Sequence, residues 1–331
     1  MVELTDDLKL RGSNLYLDSR QDREICFVSH AHSDHIACHG CAIATPATAA
    51  LLSHRIPQPG ITRLEYDGDH RLDRDLRIRL LPAGHVLGSA MLHVTRPEGT
   101  LLYTGDFKLG ESLTVEQARP EPADTLVMES TFGLPFFRFP PRQEVIDRLI
   151  EIVSAAFRDG RQPIVLGYSL GKAQEATRIL TAAGFNVTLH GAPHVLSGIY
   201  NKLGVDLGKY RRYHYTDFHG RDAIDLEERG VLVAPPHAAR TSFVTRFKNP
   251  CRIILTGWAL LKNAIYRYGV DYALPLSDHA DFSELLQTVD RVNPRKIFTV
   301  HGYEEFATHL RDRGHDATAL KHHAQLTLFD Q

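Results

Sequence analysis

The segment Ser29-His30-Ala31-His32-Ser33-Asp34-His35 holds four potential metal ligands in six positions, directly after the apolar run Ile25–Ser29. Residues two apart on an extended chain point the same way, so His30 and His32 are placed to grip one cation. The turn that follows aims Asp34 and His35 at a second. Imidazole and carboxylate suit zinc, manganese or iron, and a site without thiolate is expected to be catalytic rather than structural. Three further segments deliver a ligand type at a strand end: LLPAGH at His85, LLYTGD at Asp106 and IFTVHG at His301. A single histidine in such a place is more often a satisfied core or surface residue. Four such segments in one chain reverse those odds, and seven ligands suffice for two ions.

Elements must bring these residues together. In the first third, short β-like runs predominate: Ile25–Ser29, Leu76–Pro82, Met91–Thr95, Leu101–Tyr103 and Leu126–Met128. From about Pro141 the pattern turns to alternating helices and strands: EVIDRLIEIVSAAF with helical apolar spacing, then PIVLGYS, GKAQEATRILTAAG and NVTLH. That middle part reads as a parallel α/β unit with its own sheet. After it come a strand-like RIILTGWAL, the segment YALPLSDHADFSELLQTVD, the strand KIFTVHG and a helix over 303–313. No internal repeat or low-complexity linker separates the parts, so the middle unit is expected to be an insertion whose ends join one parent domain.

Composition narrows the classes. A chain of 331 residues is long enough for two packed domains, or for one domain with an insertion. A net charge of −2 argues against a generally basic nucleic-acid binder, so any nucleic-acid contact must come from a local patch. The polar, acidic N-terminus and the lack of any long apolar run exclude a signal peptide and a membrane span, which predicts a cytoplasmic protein. Four cysteines (Cys26, Cys38, Cys41, Cys251) make no disulfide framework, and Cys38-x-x-Cys41 reads as buried or inert thiols rather than a zinc knuckle.

The order HxHxDH, Gly-His, Gly-Asp and a late His resembles the metallo-β-lactamase signature across nearly the whole chain. The resemblance implies an α/β fold, an αββα sandwich with metals at one edge. It assigns His30, His32 and His85 to one ion, Asp34, His35 and His301 to the other, and Asp106 to both. The cofactors implied are two divalent ions, zinc or manganese. Because many hydrolases share that core, the branch rests on other segments. LVMESTFG with Glu129, LPLSDHADF with His279 and VHGY with His301 resemble motifs A, B and C of the β-CASP nucleases. GYSLGKAQEATRIL is similar to a strand-loop-helix of that family's inserted domain. The domains expected are 1–132 and 269–322 for the metallo-β-lactamase part, 133–268 for the β-CASP insertion, and a tail over 323–331. The active site is expected in the cleft between the two domains.

On this reading Asp34 serves the metal-activated attack. His279 is the acid for the leaving oxygen, and Glu129 holds its tautomer and favours its protonated form. In the loop Gly167–Lys172, helix-start amides with Ser169 and Lys172 are candidates to hold a phosphate, although ordinary strand-to-helix punctuation explains the loop equally well. His237 in VAPPHAART is a further candidate for the substrate cleft. The run Lys209–Tyr215 interleaves cations with aromatics, as a single-strand track would, but reads more simply as a solvated edge.

His301 at motif C is more typical of RNA-processing members. The compact layout and SDHADF resemble bacterial DNA-ligase-associated exonucleases. Gln325, Leu326, Leu328 and Phe329 resemble the QLxLF peptide that docks on the DNA sliding clamp, or else form a last strand. The balance predicts a DNA exonuclease in bacterial repair, beside a ligase and a helicase. The alternatives are a β-CASP ribonuclease and a non-catalytic, metal-stabilised scaffold bound to a repair partner.

Overall fold

A computed structural model describes residues 1–4, 7–219 and 223–320, and the Gln325–Phe329 motif lies outside them. The chain forms two compact units. One comprises Met1–Glu111, Val115–Arg138 and the chain from His279 onward, and the other Ser112–Thr114 and Phe139–Asp278.

The first unit is built on two sheets. The first has the strand order Val2–Leu4, Leu8–Leu10, Leu15–Leu17, Ile25–Phe27, Cys41–Ala44, Ile61–Arg63. The second runs Ala317–Ala319, Lys296–Gly302, Thr125–Ser130, Gly99–Tyr103, Ala90–Arg96, Arg77–Pro82, His70–Arg71. The central stretches Leu101–Tyr103 and Leu126–Met128 of the second sheet read as unbroken apolar runs because both of its faces are buried there, with successive side chains taking opposite sides. Leu81, Leu102, Leu126 and Met128 pack with Phe282, Leu285, Val289, Phe306 and Leu310 of the helices Phe282–Val292 and Glu305–Asp312. Leu80, Leu101, Val127 and Val300 instead meet Leu15, Leu17, Phe27 and Ile43 of the first sheet. Beside that sheet's Ile61–Arg63 lies the helix Pro46–Arg55, started by Thr45, whose hydroxyl accepts from the Thr48 amide. The layers are helix, sheet, sheet, helix: the αββα sandwich.

The helix Phe282–Val292 begins three residues after His279, and its start is fixed by reciprocal capping. Asp281 accepts from the Glu284 amide at 2.9 Å, and Glu284 accepts from the Asp281 amide at 3.2 Å. It stops where Asn293 turns left-handed (φ 48°) ahead of Pro294.

The second unit holds one parallel sheet, ordered Tyr210–Arg212, Val187–Leu189, Val231–Ala234, Gln162–Leu166, Pro250–Leu255, Tyr272–Leu274. Val165, Val187 and Ile253 face the helices Arg142–Arg158 and Lys172–Ala182, while Ile164, Leu232 and Ile254 line the other side with Phe218 and Phe247. The unit's ends differ from the expected 133–268. Residues 133–138 stay with the first unit, where the Phe137 carbonyl accepts from the Phe282 amide at 2.9 Å. Tyr272–Leu274 joins the second because it pairs in parallel with Pro250–Leu255. In the Lys209–Tyr215 run, Tyr213 packs between Phe218 and Phe243 rather than standing out as a stacking face.

All four cysteines are free. Cys38 is exposed rather than buried, its thiol 3.4 Å from the Pro57 carbonyl. Among the described residues no helix is long and apolar enough to cross a membrane.

Phe306 is fully buried, its ring edge-on to Phe282 at 5.8 Å, between the second sheet and its helices. Phe306→Ala is expected to lower unfolding free energy by about 3–5 kcal/mol, through lost burial and the cavity left behind. Urea denaturation measures it, and a loss below about 1 kcal/mol would show that this layer collapses to fill the gap.

Candidate metal centre

Six of the seven candidate ligands sit just beyond a strand or in the loop that follows one. His30 comes three residues after Ile25–Phe27, His85 three after Arg77–Pro82, and Asp106 three after Gly99–Tyr103. Glycine makes two of these turns possible. Gly84 has φ 76°, and a Cβ there would lie 2.3 Å from the Lys108 carbonyl oxygen; Gly105 has φ 54°, and its Cβ would lie 2.6 Å from Ser29 Cβ. His301 is delivered differently. Glu129 pairs with Val300 and Ser130 with Gly302, so His301 is the extra residue of a bulge, with φ 49°.

The side chains converge. Ligand atoms of His30, His32, His85 and Asp106 all lie within 4.8 Å of one another. His32 Nδ1 is 3.1 Å from His30 Nε2 and 3.0 Å from His85 Nε2. Asp106 Oδ2 reaches beyond this group: it is 3.6 Å from His30 Nε2, 3.9 Å from His85 Nε2 and 3.2 Å from His35 Nε2. Around His35 lie Asp34, whose Oδ2 is 3.8 Å from Nε2, and the His301 ring, 5.2 Å away between centroids. The seven residues therefore fall into two groups that share Asp106.

Electrostatics separate the groups. Burial, with His35 and His85 alongside, holds the His30 ring well below its ordinary pKa, so it stays neutral. His301 is lowered by burial and by His35. Burial works against a charge on His35, yet Asp106, Asp34 and Asp18 together raise it well above the usual range. Burial likewise opposes ionisation of Asp106, but His35 and His279 hold its carboxyl well below the ordinary value.

A cation fits this donor set. One Nδ1 carries at most one proton, so His32 cannot satisfy both imidazole nitrogens that press against it. Asp106 Oδ1 is buried and has no hydrogen-bond partner among the described residues. Such atoms are costly to bury unless something positive completes them.

Next to this cluster stands a second pair. His279 Nδ1 lies 3.0 Å from both Glu129 oxygens, and the His279 ring is 4.5 Å from that of His85. Glu129 is fully buried and also accepts from the Phe107 amide at 2.8 Å. Burial raises the Glu129 carboxyl pKa, His279 pulls against that rise, and Asp106 adds to it.

The other predicted site residues lie in the second unit. Ser169 is half-buried, and its carbonyl accepts from Gln174. Lys172 is buried, and its ammonium sits 2.8 Å from Asp278 Oδ1, a charge already paired. His237 is exposed, in the 3-10 turn Pro236–Arg240.

Sequence reasoning missed Asp18, Ser29 and Tyr103. Asp18 Oδ1 accepts from the Ser29 amide at 2.7 Å, and Oδ2 accepts from Ser29 Oγ at 2.6 Å and Tyr103 Oη at 2.7 Å. His35 Nδ1 lies 3.1 Å from the same Oδ2. The available signals were a strand ending in Asp-Ser (LYLDS) and a serine ahead of His30.

Comparison with known proteins agrees with this geometry. Residues 267–325 match the family model described as "Zn-dependent metallo-hydrolase RNA specificity domain". The chain is 37% identical over 330 residues to a probable DNA ligase of Opitutus terrae, covering 99% of this chain and 32% of that protein. It is 23% identical over 282 residues to an RNase J-like protein of Methanocaldococcus jannaschii, 72% of this chain and 66% of the other. With the DNA cross-link repair protein SNM1 of Arabidopsis thaliana it shares 25% identity over 304 residues, 82% of this chain and 59% of the other. The chain belongs to the β-CASP nuclease branch of the metallo-β-lactamase superfamily. It spans only 32% to 66% of the length of these relatives.

In this β-CASP chain the zinc-dependent family description and the His/Asp cluster together imply a divalent metal centre. Asp106 is the one carboxylate common to both ligand groups, so Asp106→Asn should weaken divalent-metal binding by at least about tenfold. Removing Glu129, which touches His279 rather than the imidazole cluster, should alter it far less. Metal content after dialysis, read by mass spectrometry for Asp106→Asn and Glu129→Gln, checks this. Equal retention in both variants would remove Asp106 from the centre.

Proposed function

We propose that this chain is a metal-dependent phosphodiesterase that degrades DNA from an end, in a bacterial repair setting. The observation that carries the proposal is the side-by-side placement of the seven-residue cluster and the His279–Glu129 pair. His30, His32 and His85 would hold one divalent ion, Asp34, His35 and His301 a second, and Asp106 is placed to serve both. When bound, two such ions supply Lewis-acid neutralisation of phosphate charge and ready deprotonation of water near neutral pH.

The chain's own residues do the rest. A sugar oxyanion is a poor leaving group and needs a proton. Glu129 accepts from His279 Nδ1, so proton exchange with the leaving oxygen falls to Nε2. The negative charge of Glu129 favours the protonated ring. The Phe107 amide bound to Glu129 keeps that carboxylate from turning away. Ser169 and His237 are the remaining candidates for substrate contact, in the second unit. Lys172 contributes as the partner of Asp278.

Two relatives favour DNA. One is named a DNA cross-link repair protein. The other, named a probable DNA ligase, matches this chain along a third of its own length, which supports trimming of ends before joining. The second reading, a ribonuclease, draws on the RNA specificity description of the matched model, the RNase J-like relative and His301. Clamp binding through Gln325, Leu326, Leu328 and Phe329 and a cytoplasmic location complete the proposal.

End-labelled DNA and RNA strands of one sequence, each offered with zinc, manganese and magnesium, test the two readings together. DNA should shorten stepwise, stop with a chelator, and resume when metal is restored. Intact strands of both polymers with every ion would end the proposal, and preferential shortening of RNA would move it to the ribonuclease. In the same assay His279→Ala should lower kcat by about 10²- to 10⁴-fold, the usual contribution of a positioned acid. Asp34→Ala should lower activity at least as far, and restoration by excess metal would place its role in ion binding.

A further inference from the structure

We propose that Asp18, Ser29 and Tyr103 form a relay that fixes the ring tautomers of His30 and His35, one histidine in each ligand group. The relay rests on those two residues being ligands, and not on what the centre hydrolyses.

The argument is a count of protons. An ionised carboxylate only accepts, and a hydroxyl has one proton to give. Ser29 Oγ gives its proton to Asp18 Oδ2 at 2.6 Å. The same oxygen lies 3.0 Å from His30 Nδ1, so the proton in that second contact must come from the ring. His30 therefore carries its proton on Nδ1, and its lone pair is on Nε2. That is the nitrogen 3.1 Å from His32 Nδ1 and 3.6 Å from Asp106 Oδ2. Asp18 Oδ2 also faces His35 Nδ1 at 3.1 Å and draws that ring's proton directly. The lone pair of a neutral His35 then falls on Nε2, 3.2 Å from Asp106 Oδ2. One carboxylate thus sets His35 at first hand and His30 through a serine.

Tyr103 holds the hub in place. It is buried at the end of the strand Gly99–Tyr103, donates to Asp18 Oδ2 at 2.7 Å, and meets Phe27 edge-on at 6.3 Å. Asp18 itself sits in the left-handed region at φ 47°, its amide bound to the Phe27 carbonyl at 2.9 Å. A non-glycine residue keeps that conformation only where its surroundings determine it, and here the carboxylate collects donors from two segments, Ser29–His35 and the strand end at Tyr103. Partners of this kind orient ligating histidines, and their loss typically costs 10–100-fold in metal affinity.

Two readouts test the relay without any substrate. Long-range proton–nitrogen correlation spectra of ¹⁵N-histidine-labelled chain report which ring nitrogen is protonated, and a chelating dye in competition reports zinc affinity. The metal-free wild type should show His30 as the Nδ1–H tautomer, and the zinc-loaded chain should show both His30 and His35 in that form. In Ser29→Ala, His30 should spread over both tautomers and zinc affinity should fall about 10–100-fold. Tyr103→Phe leaves the serine contact in place, so His30 should keep its tautomer while affinity falls by a smaller factor. A wild-type His30 protonated on Nε2, or zinc affinity within about twofold of wild type in Ser29→Ala, would overturn the relay. Should Ser29→Ala fail to fold, the wild-type spectra and Tyr103→Phe still decide. Absence of nuclease activity would leave both readouts standing, so the two proposals fail separately.

Discussion

Imidazole nitrogens that crowd one another without protons to share are a poor thing for a fold to bury. In this chain His32 Nδ1 sits within hydrogen-bond distance of both His30 Nε2 and His85 Nε2, beside a carboxylate oxygen with no partner among the described residues. Holding them there costs free energy that the rest of the first unit must supply. It does so with a sheet buried on both faces, whose strand ends are fixed by a continuous apolar core on each side. Gly84 and Gly105 let the backbone turn where any other residue would collide, so the ligands arrive on short, stiff loops. A cation turns this arrangement from a liability into an interaction, and the sandwich is in that sense an apparatus for maintaining the crowding.

The two ligand groups are not equivalent. His30, His32 and His85 form a nitrogen-rich set, and burial keeps His30 neutral, as metal ligation requires. The other set has one carboxylate, Asp34, in place of an imidazole, and Asp106, Asp34 and Asp18 together act on His35 strongly enough to outweigh its burial. Nitrogen donors favour borderline ions such as zinc, and oxygen donors shift preference toward manganese or magnesium. On the proposed two-ion reading, unlike halves would fill in two steps rather than one. Asp106, shared by both, is where the charge of one half is felt by the other.

Much of this was legible in the sequence. The HxHxDH segment and the strand-end His and Asp residues that converge with it were visible because each signal is local, a residue type at a fixed distance from an apolar run. Strands with both faces buried announce themselves in the same way, as do the helices Arg142–Arg158 and Lys172–Ala182 with their apolar spacing. What stayed hidden depends on distant partners. Asp18 meets Ser29, His35 and Tyr103 across 11, 17 and 85 positions, and no local pattern marks it. Lys172 looked like a phosphate ligand because its loop has the right composition, and only the fold shows its charge spent on Asp278. The end of the second unit was placed too early because Tyr272–Leu274 is short and follows a loop, while its membership is decided by pairing with Pro250–Leu255.

The His279–Glu129 pair and the His/Asp cluster are joined by a single peptide step. Asp106 contributes its carboxylate to the centre, and the next residue, Phe107, gives its amide to Glu129 Oε1 at 2.8 Å. Glu129 in turn holds His279 Nδ1. The 105–107 turn therefore carries both the Asp106 carboxylate and the amide that orients Glu129 on the neighbouring strand. That coupling matters because attack and departure at a phosphodiester occur on opposite sides of one phosphorus, and small misplacements of either group are costly in rate. Phe107 is itself fully buried in the layer between the second sheet and its helices, which anchors the turn to the same core that supports the ligands. Spacing between the two halves of the chemistry is thus inherited from the packing of the sandwich rather than from contacts with a substrate.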